Sequence, residues 1–233
     1  MHVSRETCTR SAVRSRLESD AEEEVWGVGR RIVPLTLDNL ADLPTTCRSC
    51  VFWELDPVSG RAAVESGKAE SEKEGWISDV LLEWGSCGRV AYVDGVPAGF
   101  VLYAPPAYVP RSQSFPTSPI SPDAVQLMVS RLLPGYQRQG LGRVLVQSVA
   151  KDLIGRGFRA IEAFGAVGRE IPSCVLPADH LLAVGFKTVR PHQRYPRLRL
   201  EARTTLSWRG DVEGALERLL GGSRRKEPAL RPF

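Results

Sequence analysis

Residues 133–142 read Leu-Pro-Gly-Tyr-Gln-Arg-Gln-Gly-Leu-Gly, and the sequence on either side of them predicts a strand and a helix. The apolar run 124–133 predicts a buried strand, and the amphipathic pattern over 141–154 predicts a helix. A helix start presents backbone N–H groups without intrahelical partners, and the helix dipole places partial positive charge there. The stretch therefore predicts an anion site, with a phosphorylated ligand as the chemistry to look for.

The spacing of the glycines separates this turn from two better-known phosphate-binding patterns. Gly140 and Gly142 have no side chain that would block a phosphate. A P-loop needs Lys and Ser or Thr after its last glycine, and the residue after Gly142 is Arg143. A dinucleotide fingerprint needs a third glycine, where this chain has Leu145. The remaining pattern is Gln137-x-x-Gly140-x-Gly142.

This pattern resembles the pyrophosphate-binding motif of the GCN5-related N-acetyltransferase (GNAT) superfamily, whose usual form is Gln/Arg-x-x-Gly-x-Gly/Ala. Two apolar runs around Asp94-Gly95 predict a hairpin with a primed turn, because both central residues need positive φ. A hairpin in this position and a Gly185-Phe186 pair after a short helix are also similar to the family. The resemblance covers about residues 30–203, and 123–186 carries most of its specificity.

The resemblance implies an α/β (α+β) fold of the acyl-CoA N-acyltransferase type, with a mixed central sheet of about six or seven strands flanked by helices. It implies an N-acetyltransferase that moves an acetyl group from acetyl-CoA to a primary amine of a small molecule or protein. A catalytically weak or inactive CoA-binding module of the same fold is the alternative, and another acyl group also stays open. We expect residues 1–29 to be a disordered extension, 30–203 the domain, and 204–233 a C-terminal helix and basic tail.

The resemblance also implies which residues bind the cofactor. The pyrophosphate would be held by the turn and helix start, namely Gln137, Arg138, Gln139, Gly140, Leu141 and Gly142. Arg138 and Arg143 could add charge-assisted contacts or could be solvated surface side chains. The pantetheine arm would run along the strand backbone at Ser130, Arg131 and Leu132, beside a strand that diverges near Phe164.

The general base is less well marked. Glu162 lies within a predicted strand, where the alternation of side chains could point it into the cleft. It could equally be a sheet-face carboxylate paired with an arginine. Asp123 and Glu83 are weaker candidates for the same task.

The chain departs from the family at the expected general acid. Many members place a Tyr four residues before the Gly-Phe pair, where this chain has Leu181. The adjacent His180 could protonate the leaving thiolate, or it could be a helix-face histidine. Cys174 could form a covalent acetyl-cysteine, although no base is obviously tied to it. Positioning alone could also suffice.

Composition predicts a protein that works in the cytoplasm and needs no metal. The 233-residue chain has a formal charge of +4, no signal-peptide pattern and no apolar run long enough for a membrane span. Cys47-x-x-Cys50 favours two partly buried thiols over a metal or redox site, because no second pair matches it. The arginines of 187–209 favour a solvated sheet face over nucleic acid, and a homodimer stays open.

Four segments carry further expectations. Six prolines in 104–122 exclude helix and central strand, and we expect an irregular loop that borders the acceptor site. Alternating Lys and Glu over 65–74 predict a solvated helix face. Asp38 could cap a short helix, and 211–220 predicts a C-terminal amphipathic helix.

Overall fold

The structure is a computed structural model that describes residues 24–25, 29–169, 172 and 174–205. The strands within this part are β1 (Glu24–Val25), β2 (Arg30–Pro34), β3 (Gly88–Val93), β4 (Val96–Ala104), β5 (Ala124–Leu132), β6 (Ala160–Ala166), β7 (Leu176–Pro177), β8 (Lys187–Arg190) and β9 (Arg197–Glu201). The α-helices are α1 (Thr45–Arg48), α2 (Pro57–Glu65), α3 (Ala69–Glu83), α4 (Leu141–Gly155) and α5 (Ala178–Val184).

The described strands form one mixed sheet in the order β1-β2-β3-β4-β5-β6-β9-β8, with β7 paired to β6. The pairs β2–β3, β3–β4 and β4–β5 are antiparallel, whereas the pair β5–β6 is parallel. The β3–β4 turn has φ of 50° at Asp94 and 80° at Gly95, which confirms the predicted primed hairpin. The predicted mixed sheet flanked by helices is confirmed.

Two apolar layers cover the faces of the sheet. Helix α4 buries Leu145, Val149 and Leu153 completely on one face, against inward-facing strand residues such as Ile161. Its apolar residues recur at helical spacing, so burial of that stripe drives the packing. On the other face α3 and the proline-rich segment cover a second layer that includes Phe164.

The sheet opens between the parallel strands β5 and β6. β5 and β6 pair only at Ala124–Ala160, Val125–Ile161 and Gln126–Glu162. The register of β4 against β5 shifts where Leu102 faces Val129 and Tyr103 faces Leu127, which leaves Met128 as an extra residue. A bulge bends the strand that carries it. β5 therefore leaves β6 just after the last paired residues.

Two local predictions are wrong in detail. The proline-rich segment contains two 3₁₀ helices, Pro106–Tyr108 and Pro110–Ser114, whose proline starts supply the required φ. The short helix after β2 is also 3₁₀, and Asn39 precedes it rather than Asp38. Asn39 accepts a hydrogen bond from the Thr36 backbone at 2.9 Å, so it closes the turn before the helix.

Some predictions concern residues that the structure leaves undescribed. The 211–220 helix lies outside the described residues, and so does most of 1–29. Glu24–Val25, within that predicted extension, pairs with β2. In the described part of the chain, no helix combines the length and apolarity that a membrane crossing requires.

Candidate active site

The turn between β5 and α4 contains three residues with positive φ. Gly140 precedes the helix with φ of 79°, and Gly135 and Arg138 have φ of 90° and 62°. A side chain at Gly140 would be strained, because L-residues rarely adopt this conformation. The Gln139 side-chain amide donates to the Gly135 carbonyl at 2.9 Å and closes the turn on itself.

The turn leaves a row of hydrogen-bond donors without partners. The backbone N–H groups of Arg143 and Val144 donate to the Gly140 carbonyl at 3.0 and 3.3 Å. No group in the described part of the chain accepts from the N–H groups of residues 137–142. These donors stand at the positive end of a 15-residue helix. The arrangement suits an anion with several oxygens, such as a pyrophosphate.

The space beside this row is open. A Cβ on Gly142 would meet only the Leu132 side chain, at 3.7 Å, and a Cβ on Gly140 would meet nothing within 4 Å. Packing therefore does not require glycine at Gly142, whereas a phosphate that approaches the backbone would benefit from it. The residues present thus fit a pyrophosphate. Arg138 and Arg143 are both exposed at the same turn.

The divergence of β5 from β6 places the predicted pantetheine residues along an open edge. Burial along β5 decreases from Met128, which is buried, to Ser130, Arg131 and Leu132, which are partly exposed. This half of β5 pairs only with β4 among the described strands. Its other edge carries backbone groups that could bind an extended chain, and that role stays a prediction.

Glu162, the first candidate base, lies in an ion-pair cluster. It is fully buried, and its carboxylate accepts from Arg199 at 3.1 Å and from the Ser121 backbone at 3.1 Å. The Nε atom of Arg197 lies 3.4 Å from the same carboxylate. Arg199 also binds Asp123, which lowers the pKa of that carboxyl. Both carboxylates therefore act first as partners for arginine.

The remaining candidates lie on different surfaces. His180 is exposed on α5, while the adjacent Leu181 is buried in the same apolar layer as the core residues of α4. Glu83 is exposed at the end of α3, and its hydrogen bond with the Tyr108 hydroxyl raises the pKa of that tyrosine. The structure therefore does not bring His180, Glu162 and Glu83 together.

A small pocket beside the open part of β5 brings four residues named in the sequence analysis together with Glu54 and Lys73, which the sequence interpretation missed. It measures about 20 Å³ and lies against the strand residues Val129 and Arg131. Its polar and sulfur-bearing lining consists of Cys47, Cys50, Glu54, Lys73, Arg131 and Cys174. We call it the inner pocket.

Lys73 is an exception to the solvated face predicted over 65–74, whose other charged residues are exposed. Its side chain is 2% exposed and forms a buried ion pair with Glu54. The signal was present in the sequence, because Lys73 lies four residues before Ile77 and seven before Val80, both fully buried. The helix period therefore places Lys73 on the apolar face of α3.

The thiol of Cys50 does not contact that of Cys47, its neighbour in the Cys47-x-x-Cys50 pattern, but that of Cys174. The sulfur of Cys50 lies 2.9 Å from that of Cys174, while Cys47 accepts from the Arg131 guanidinium at 3.5 Å. The hydrogen bond from Cys174 lowers the pKa of Cys50 to about 6. Within the described ranges, no cluster of three or more His, Cys, Asp or Glu side chains could hold a metal ion.

A family model described as the Acetyltransferase (GNAT) family matches residues 50–174. The chain belongs to this family, and the membership supports acetyl transfer as its general class of activity. A comparison with curated protein sequences returned no match.

Solved structures of the same kind are similar to this chain at low identity. One is the PaiA N-acetyltransferase from Thermoplasma acidophilum in complex with coenzyme A, with 14% identity, 74% of this chain and 98% of that chain covered, and a TM-score of 0.48. Another is a putative GNAT acetyltransferase from Desulfovibrio desulfuricans, with 18% identity, 74% and 99% coverage, and a TM-score of 0.47. A third is a GNAT acetyltransferase from Brucella melitensis in complex with acetyl-CoA, with 19% identity, 74% and 87% coverage, and a TM-score of 0.40.

Proposed function

We propose that this protein is an N-acetyltransferase that uses acetyl-CoA and acts on a primary amine of a small molecule or a protein. One observation carries the proposal. The unpartnered N–H row of residues 137–142 lies at the start of α4, immediately after the strand that opens away from β6. A pyrophosphate on this row would let the pantetheine arm extend along the open edge of β5.

The residues of the chain would then have distinct tasks. The turn binds phosphate oxygens, with Arg138 and Arg143 adding positive charge at its rim. Ser130, Arg131 and Leu132 supply backbone groups along the open edge. The amine attacks the thioester carbonyl carbon, and the C–S bond breaks to release the CoA thiolate. The amine proton leaves to solvent or to a nearby base, and the thiolate takes a proton from solvent. Alignment of the two reactants supplies much of the barrier reduction.

The acceptor would approach from the face opposite α4. A groove of about 570 Å³ opens there, lined in part by Phe52, Arg111 and Cys50. Cys50 and Cys174 line both this groove and the inner pocket beside Val129. The groove therefore shares a wall with the pocket at the strand edge where the thioester would lie. We call it the outer groove.

The alternative is a CoA-binding module with weak or no turnover, and one observation favours it. Glu162 is held by two arginines, and the position where many family members have Tyr is the buried Leu181. The catalytic roles of Glu162 and His180 stay proposals. The ion pairs of Glu162 with Arg197 and Arg199 favour a positioning role for this carboxylate over proton transfer.

Two measurements on the full chain separate these functions. Calorimetry with CoA measures donor binding, and release of free thiol from acetyl-CoA with a panel of primary amines measures transfer. We expect binding together with amine-dependent thiol release. Binding without release for any amine would favour the module, and absence of CoA binding would overturn both functions.

A further inference from the structure

We propose that Cys50 and Cys174 form a reversible disulfide that locks the wall shared by the outer groove and the inner pocket. Oxidation by a hydroperoxide would make the bond, and a dithiol reductant would open it. The disulfide itself rests on the geometry of the thiols, while its effect on acetyl transfer rests on the proposed function.

The first step of the argument is proximity across the fold. The two sulfur atoms are 2.9 Å apart, although the residues are 124 positions apart in sequence. The Trp53 indole N–H donates to the Cys174 carbonyl at 2.7 Å and holds the two segments together. Trp53 is itself 2% exposed and stacks on Phe164 of β6. The sulfur pair is therefore positioned by the core.

The second step is the location of the pair. Cys50 and Cys174 are the two residues that line both the outer groove and the inner pocket. Both are partly exposed, so a small oxidant in the groove can reach them. A covalent bond between them would tie the segment after α1 to the segment before β7. The two segments that separate the outer groove from the inner pocket could then not move apart.

The third step is the chemistry of the thiols. Hydrogen bonding from Cys174 lowers the pKa of Cys50 to about 6, so Cys50 is the nucleophile at neutral pH. Its thiolate attacks the O–O bond of a hydroperoxide and gives a sulfenic acid and an alkoxide or hydroxide, which takes a proton. The Cys174 thiol then attacks the sulfenic sulfur, and water leaves as the disulfide forms. Two electrons pass from the thiols to the peroxide.

The other described cysteines provide internal comparisons. Cys47 contacts the Arg131 guanidinium instead of a second sulfur. Cys87 is fully buried in the core, and burial raises its pKa to about 12. Low exposure and a protonated thiol both protect Cys87 from oxidation. The structure therefore singles out one pair.

Peptide mapping tests the disulfide without any measure of activity. The full-length C8S variant is used, because Cys8 lies outside the described residues. It is treated with hydrogen peroxide, alkylated and digested with trypsin. Cleavage after Arg48 separates Cys47 from Cys50, and cleavage after Arg169 and Lys187 releases the peptide with Cys174.

We expect the 49–61 peptide joined to the 170–187 peptide, and its loss after reduction with dithiothreitol. The C47S variant should still form the link, whereas C50S and C174S should not. A link between Cys47 and Cys50, or alkylated Cys50 and Cys174 after peroxide treatment, would overturn the proposal.

Measurements of acetyl transfer then test whether the disulfide slows the reaction. Oxidised protein should bind CoA with the affinity of reduced protein but release thiol at least about tenfold more slowly with any accepted amine. Dithiothreitol should restore the rate, and the C50S variant should be insensitive to peroxide. Equal rates in both redox states would show that the disulfide does not slow acetyl transfer, even where peptide mapping finds the bond. No transfer by reduced protein would instead count against the proposed function.

Discussion

The guanidinium of Arg199 donates to the carboxylate of Glu162 at 3.1 Å, at a point where Glu162 has no contact with solvent. The same guanidinium donates to both carboxylate oxygens of Asp123, each at 2.9 Å. One arginine of β9 therefore joins β6 to the residue just before β5. This cluster lies beside the three residue pairs that still hold β5 to β6, so it stabilises the closed end of the split sheet.

The E162Q variant tests whether this carboxylate positions strands or moves protons. We expect unfolding in urea to become easier by about 1–3 kcal/mol, because a buried ion pair loses one charge and the amide retains some hydrogen bonds. We expect CoA affinity and the shape of the pH–rate profile to stay unchanged. Loss of a limb from that profile, with unchanged stability, would make Glu162 the general base.

The matched control for this variant is E201Q. Glu201 accepts from the same Arg199 guanidinium at 2.6 Å, but its side chain is 51% exposed. Exposed ion pairs contribute at most about 1 kcal/mol. E201Q should therefore change the urea midpoint much less than E162Q.

The elements predicted most accurately carry strong local signals. The predicted bounds of β5 and α4 differ from the observed ones by one residue at one end, and the short helix expected before Gly185-Phe186 is observed as α5. Their apolar periods and terminal glycines act within a few residues of chain. The positive φ of Gly140 was not predicted, because the residue before a helix usually has extended backbone angles.

The contacts that the sequence did not predict join distant residues. The Cys50–Cys174 pair depends on how the segment after α1 meets the segment before β7. The Glu54–Lys73 pair depends on packing of α3 against a buried turn. No local pattern states which polar residues meet, because the fold supplies that information. The family pattern likewise identifies the donor site and not the acceptor.

The G142E variant tests the placement of the donor. A carboxylate at the helix start would repel a pyrophosphate, so we expect CoA affinity to fall at least about tenfold by calorimetry. G142A is the control, because Ala also fits the family pattern and its Cβ meets only Leu132 at 3.7 Å. Unchanged affinity in G142E would show that the pyrophosphate binds elsewhere.

The K73M variant tests the buried ion pair under the inner pocket. Loss of Lys73 would leave the carboxylate of Glu54, which is 3% exposed, buried without its cation. We expect the free energy of unfolding to fall by about 3–5 kcal/mol, measured by urea denaturation.

Two further variants serve as controls for the stability change expected in K73M. The double variant E54Q/K73M removes both charges and should recover at least half of the loss. K68M changes an exposed lysine at the start of the same helix and should have little effect. A K73M protein as stable as the parent would show that the pair contributes nothing to the fold.

The pH dependence of stability tests the contact between Asp123 and Arg199. Hydrogen bonds from Arg199 lower the pKa of Asp123 in the folded protein. Its contribution to the free energy of unfolding is therefore present above the unfolded-state pKa of about 4 and is lost as the pH falls through the lower folded value.

The D123N variant should lower the free energy of unfolding slightly at pH 7, by less than about 1 kcal/mol, because Asp123 is 38% exposed. It should also flatten the decline in the midpoint below about pH 4, whereas D38N, at an exposed carboxylate, should retain the parent slope. If the urea midpoint of D123N fell with pH as steeply as that of the parent, Arg199 would not lower the pKa of Asp123 in the folded state.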